Sequence, residues 1–215
     1  ILQHITNELE LTGKLIVYTD AGAQWLYLPD RFLYEGYTKG LCFMLDEENT
    51  NRQWCMPEMV DKMALTDDEL DAMQICAGLI AFQAGHELST KVFNAALQAA
   101  QTKEILVGPN LAGFKNGKAY GHRHDQSILS VLRLRHAVPI VQFYDLVCLT
   151  TLRLTTLEQK PIYLHRGLYS VHEKVLPGID DIWIINLDRR PDRLASWAKE
   201  YPLLAGKTQR LSAVD

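Results

Sequence analysis

Cysteine is scarce in this chain and never closely paired. Cys42, Cys55, Cys76 and Cys148 stand far apart with no C-x-x-C among them, which argues against a zinc ribbon and offers no disulfide framework. Reduced, structural thiols are the expectation. An excess of positive charge is also missing. The formal net charge is -4 at pH 7, so no basic field is available to wrap nucleic acid, and an anionic ligand would need a local cluster of donors. No apolar run approaches the roughly 18 residues of a membrane span. Absent too are a G-x-S-x-G elbow, a Walker A loop, the Rossmann glycine set, internal repeats and low-complexity tracts. What remains is 47% hydrophobic and 22% charged, enough apolar content for one or two cores of an ordinary globular protein. The sequence starts on Ile1 rather than Met and stops on QRLSAVD directly after a strand pattern, so a piece of a longer polypeptide is expected.

Strand and helix patterns alternate along the chain. ILQHITNEL has helical periodicity, and GKLIVYTD is a continuous apolar run ending in an acid, the pattern of a strand buried on both faces of a parallel sheet. Asp46 to Trp54 is polar and reads as a loop. A helical pattern follows from Pro57, and Thr66-Asp67-Asp68-Glu69 is a capping box opening a short helix. CAGLIAF, Cys76 to Phe82, is a second buried strand, and Ser89 to Gln101 carries an amphipathic helix. Gly108 to Gly121 holds four glycines, a proline and two asparagines and predicts a long, functional loop. It leads into YGHRHDQS and a helix marked by Ile128, Leu129, Val131, Leu132 and Leu134. Strands are expected at 139–143 and 161–165. Near Val175 to Gly178 the pattern resets, and DIWIINLDRRPDRLASWAKEY with TQRLSAVD predicts a fresh β-α-β unit.

Four places gather chemistry. Asp20, at a strand's carboxyl end, can hold a divalent cation on a diphosphate, with Gly22 two residues on letting a ligand approach the backbone; an Asp that merely starts a turn is the plain alternative. In His122-Arg123-His124-Asp125, capping needs one side chain and four polar groups are present. Histidine suits metal or phosphate, arginine an anion, and aspartate a hydroxyl proton, while a carboxylate in a helix's first turn is also favoured by the macrodipole. His165 ends the strand PIYLH and would be a metal ligand or a structural histidine. Arg189, Arg190 and Arg193 follow IINLD and would form a phosphate-binding turn at a helix start, or a solvated basic end.

IDDIWIINLDRRPDR with AVD, Asp180 to Asp215, resembles the opening of family 25 glycosyltransferases, the lipopolysaccharide and procollagen galactosyltransferase group. That resemblance implies donor-binding roles for Asn186, Arg189, Arg190 and Arg193. Residues 1–170 resemble glycosyltransferases of the GT-A type, as in bacterial and giant-virus sugar-transferase domains carrying an HRHDQS segment. The resemblance implies an α/β, Rossmann-like, mostly parallel sheet flanked by helices and truncated at its amino end, a linker at 171–179, and the first β-α-β of a second α/β domain at 180–215. It places Asp20-Ala21-Gly22 where that fold has its metal-binding D-x-D, Gly78 in a strand lining the donor, and His124-Asp125 at a helix start near the acceptor; His122, Arg123 and His124 would supply counter-charge to the leaving group, and Asp125 would be the base or hydroxyl-orienting group. Asp20 and His165 would ligate Mn²⁺ or Mg²⁺. Only the first acid of D-x-D is present, which bears directly on metal dependence.

The implied activity is transfer of a hexose from a nucleotide diphosphate sugar to a hydroxyl on a glycan, lipopolysaccharide or hydroxylysine-type acceptor. The expected location is the cytoplasm, with peripheral membrane association left open and nucleic acid not expected as a partner. A non-catalytic carbohydrate or nucleotide-sugar-binding module is the chief rival, since losing one D-x-D acid suits lost catalysis. A metal-assisted phosphohydrolase fits less well, because such sites cluster more carboxylates around two metals.

Overall fold

A computed structural model describes residues 10–20, 23–25, 29–107, 113–115, 118–120, 122–149, 162–164, 182–187, 191–200 and 208–213. In chain order the elements begin with β1 (Leu15–Thr19), β2 (Ala23–Trp25), α1 (Asp30–Thr38), β3 (Leu41–Thr50), α2 (Asn51–Trp54), α3 (Pro57–Met63), α4 (Asp67–Asp71) and β4 (Met73–Gln83). Then come α5 (Glu87–Ala100), α6 (Lys103–Leu106), β5 (Gly113–Lys115), β6 (Lys118–Tyr120), α7 (Asp125–Arg135), β7 (Ile140–Gln142) and α8 (Phe143–Leu146). The last are β8 (Val147–Leu149), β9 (Ile162–Leu164), β10 (Ile182–Leu187), α9 (Pro191–Glu200) and β11 (Thr208–Ala213). The chain divides into two compact units, one of Leu2–Ala21 with Pro29–Val147, the other of Ile1, Gly22–Leu28 and Cys148–Asp215. The helical pattern of the first nine residues and the linker at 171–179 lie outside the described residues.

The larger unit is α/β and rests on a sheet ordered β1-β4-β3-β7. This sheet is mixed rather than mostly parallel: β1 and β3 both run antiparallel to β4, and only β3 and β7 are parallel. Continuous apolar strands report cover on both faces, and cover is indifferent to strand direction, so the sequence pattern could not distinguish the two. Alternation along the strands sorts the side chains. Leu41, Phe43, Ile80 and Phe82 join a core with Met59, Val92, Phe93, Ile105, Ile128 and Val131 from the helices. There Phe82 and Phe93 meet edge to face at 5.0 Å, a pair worth about 0.5–1.5 kcal/mol beyond its buried area. Ala81, one residue out of phase, faces α1 instead. A Cβ on Gly36 would sit 2.6 Å from the Ala81 Cβ, so helix and strand approach this closely because position 36 has no side chain.

Two local readings change. Strand β1 lies at the sheet's edge and is only half-buried, where its apolar run suggested burial on both faces. The segment from Asp46 to Trp54 is not a loop: β3 continues to Thr50, and Asn51–Trp54 makes a helical turn closed by a Thr50/Gln53 capping box. The glycine-rich stretch contains the β5/β6 hairpin. Thr66 and Glu69 cap the short α4 reciprocally, and Glu69 also receives Arg135 at 2.6 Å, which holds its carboxyl below the usual range.

The smaller unit contains a three-stranded sheet, β2-β9-β8, and a parallel pair, β10 and β11, with α9 between them in sequence. The strand, helix and strand predicted between Asp180 and Asp215 are therefore present. Among the described residues no helix is long and apolar enough to cross a membrane. Cys42, Cys55 and Cys76 are free thiols, and burial pushes the first two up to about 12.

Candidate functional site

The HRHDQS segment crosses from the hairpin into α7, and most of its polar groups are bonded to the protein. The last carbonyls of α6 have no partner within that helix and must be met from elsewhere. His122 Nε2 lies 2.8 Å from the Ile105 carbonyl oxygen and His124 Nδ1 lies 2.8 Å from that of Leu106. A carbonyl only accepts, so each ring donates an N–H here. His122 is buried, and desolvation lowers its pKa, keeping it neutral. The two rings meet edge to face at 5.4 Å. His124 occupies the N-cap of α7 with a positive φ of 48°.

Arg123 points into a closed ring of contacts. Its Nη1 donates to Asp46 Oδ2 at 2.9 Å, and its guanidinium lies 4.0 Å over the centre of the Trp54 ring. Trp54 Nε1 donates to Asn49 Oδ1 at 2.7 Å, and the Asn49 amide in turn donates to both Asp46 oxygens at 3.0 and 2.9 Å. The Glu48 N–H supplies Asp46 with a further bond at 3.1 Å. Behind the ring, Ser127 Oγ accepts from the Arg123 N–H and from Gln74 Nε2 and donates to the Trp54 carbonyl at 2.9 Å. Gln126 donates to Gln74 Oε1 at 3.2 Å. Of the whole segment, the Asp125 side chain is the exposed one; among the described residues its Oδ1 accepts the neighbouring Gln126 N–H.

Asp20 follows β1 and is held at three points. Its N–H donates to the Gly78 carbonyl at 2.9 Å, Tyr18 Oη donates to Oδ1 at 2.9 Å, and Oδ2 rests against Gly78. A Cβ at position 78 would stand 2.7 Å from Oδ2, so the glycine leaves the space the carboxylate fills. Burial raises the Tyr18 phenol pKa well above its ordinary value; the charge of Asp20 and its hydrogen bond add to this, as does the charge of Asp125. Asp20 and Asp125, from the end of β1 and the start of α7, thus act on one phenol. Cys76 on β4 joins the two halves: burial raises its thiol pKa, and the charges of Asp46, Asp20 and Arg123 all act on it.

The predicted residues are therefore partly assembled. Asp20 packs on Gly78 of β4, the charge of Arg123 reaches Cys76 on the same strand and that of Asp125 reaches Tyr18, while His122 and His124 anchor α6. Asn186 lies in the other unit, paired in register with Ser212, and Arg193 lies on α9. Ala21, Gly22, His165, Arg189 and Arg190 lie outside the described residues. Among the described residues no group of three His, Cys, Asp or Glu gathers to hold a metal ion.

Tyr18, Asp46, Trp54 and Gln74 were not singled out from sequence. Tyr18 was legible, since residues i and i+2 share a strand face; Asp46 and Trp54 were hidden by the loop reading. No protein-family model matches the chain, and no curated protein matches it.

Proposed function

We propose that the chain carries a GT-A-like sugar-transferase unit that moves a hexose from a nucleotide diphosphate sugar to a hydroxyl acceptor such as a glycan, lipopolysaccharide or hydroxylysine. The observation that carries this reading is the exposed Asp20 carboxylate, held at the edge of an α/β sheet by Tyr18 and Gly78, with a second exposed carboxylate, Asp125, opening α7. In the proposed reaction Asp125 takes the proton of the acceptor hydroxyl as its oxygen bonds to the anomeric carbon, and the bond from that carbon to the diphosphate breaks. Asp20 accepts hydrogen bonds from hydroxyls of the sugar. The Arg123–Asp46–Asn49–Trp54 ring holds the start of α7, and with it Asp125, in place. Residues 180–215 are proposed as the opening of a family-25-like transferase domain, with Asn186, Arg189, Arg190 and Arg193 at its donor phosphates; the parallel β10-α9-β11 arrangement supports this.

A second reading, sugar binding without transfer, is favoured by one observation. Burial favours the neutral form of His122 and Arg123 is paired with Asp46, which leaves little positive charge to offset a leaving diphosphate. Release of nucleoside diphosphate by the intact protein, tested with a panel of nucleotide diphosphate sugars, separates the two. Transfer predicts measurable release, and Asp125→Asn should keep the melting temperature while lowering turnover about 10²- to 10⁴-fold. Binding without release would support the second reading, and undiminished turnover in Asp125→Asn would remove Asp125 as the base.

A further inference from the structure

We propose that Tyr18 is the positioning residue of this site, its hydroxyl fixing the orientation of the Asp20 carboxylate so that a sugar hydroxyl meets a preset acceptor. The inference rests on the transferase reading above and extends it to a residue that touches the ligand only through Asp20. A solvent-exposed aspartate ordinarily samples several rotamers, and a ligand that needs one of them must order it on binding, at a cost to affinity. Asp20 escapes that cost because both torsions are constrained. The N–H to Gly78 fixes the backbone, the 2.9 Å bond from Tyr18 Oη fixes Oδ1, and the bare Cα of Gly78 seats Oδ2.

Tyrosine suits this task for a chemical reason. It sits two residues before Asp20 on the same strand face, it has one hydrogen to donate, and a carboxylate is the strongest acceptor within its reach. Having donated that hydrogen to Asp20, its oxygen can only accept. Tyr18 and Asp20 together therefore present acceptors alone, a surface matched to the hydroxyl donors of a hexose and opposed to an uncompensated phosphate.

The test is a double-mutant cycle on the intact protein, reading the dissociation constant for a nucleotide diphosphate sugar that the wild type binds, with melting temperature as the control. Tyr18→Phe removes the hydroxyl alone and should weaken binding about 3- to 10-fold, the size of one side chain's ordering, at an unchanged melting temperature. Asp20→Ala should weaken binding further, and Tyr18→Phe added to Asp20→Ala should do nothing more, because a positioning residue has nothing left to position. Wild-type affinity in Tyr18→Phe, or the same loss in both backgrounds, would overturn the inference while leaving the transferase reading intact. If the wild type binds no nucleotide sugar, or Asp20→Ala binds as the wild type does, the transferase reading itself fails and the role of Tyr18 falls with it.

Discussion

Asp20 and Asp46 begin alike and end differently. Each closes an apolar run, LIVYT before one and LCFML before the other, and each lies within the influence of Cys76. Asp46 is saturated: Arg123, the Asn49 amide and the Glu48 N–H occupy both its oxygens, and its side chain is only 18% exposed. Asp20 is exposed and, among the described residues, takes one side-chain bond, from Tyr18. What separates an acid that holds the fold from one that meets a ligand is spare acceptor capacity, and this depends on what the rest of the chain brings to it. Arg123 went to Asp46, so the loop ahead of α7 is fixed there, and among the described residues the spare acceptor capacity is left at Asp20 and Asp125.

That contrast can be broken from either side. Asp46→Ala should give the largest loss of stability, about 2 kcal/mol, because it leaves a partly buried guanidinium and the Asn49 amide without their acceptor; urea unfolding with an unchanged m-value would measure it. A smaller effect is expected from pH. The folded-state pKa of His122 lies below its unfolded value, so the unfolded chain takes up a proton first as the solution is acidified. Stability should therefore fall as pH drops below about 6.5, the unfolded value, and His122→Gln, which can still donate to the Ile105 carbonyl, should flatten that slope in urea midpoints taken between pH 7.5 and 5.5. The smallest effect belongs to Asp20→Asn, below about 0.5 kcal/mol in the same assay, since an amide oxygen can still accept from Tyr18 and the site is exposed. A loss as large as that of Asp46→Ala would make Asp20 a structural acid and erase the distinction.

Much of the element order was readable because it rests on local rules. The Thr66 box, the helix over 87–100, the strand around Cys76 to Phe82 and the β-α-β of the final segment all follow from periodicity and capping, which neighbours along the chain determine. Strand direction was not readable, because Leu41–Leu45 and Ile75–Phe82 are apolar for reasons of cover alone. At the site, sequence identified the residue types in HRHDQS but not their partners. Ile105, Leu106, Asp46 and Trp54 come from distant positions, and only the fold decides that two histidines answer carbonyls while the arginine between them answers an acid. The Asp20–Gly78 juxtaposition was suggested through the GT-A resemblance; its physical basis, a carboxylate filling the space of a missing side chain, depends on the antiparallel register of β1 and β4.

The close contact between α1 and β4 has a consequence for how this sequence can drift. A Cβ at position 36 would lie 2.6 Å from the Ala81 Cβ and 2.9 Å from the backbone of that residue, and a central strand cannot give way as a flexible side chain would. Trimming Ala81 to glycine would relieve the first of these contacts and not the second. Gly36 is thus held by main chain rather than by a neighbouring side chain, and no single compensating substitution at 81 frees it. Related chains should vary at Ala81 only towards glycine and hold glycine at 36, so that the two positions would look independent in a comparison of relatives although they touch.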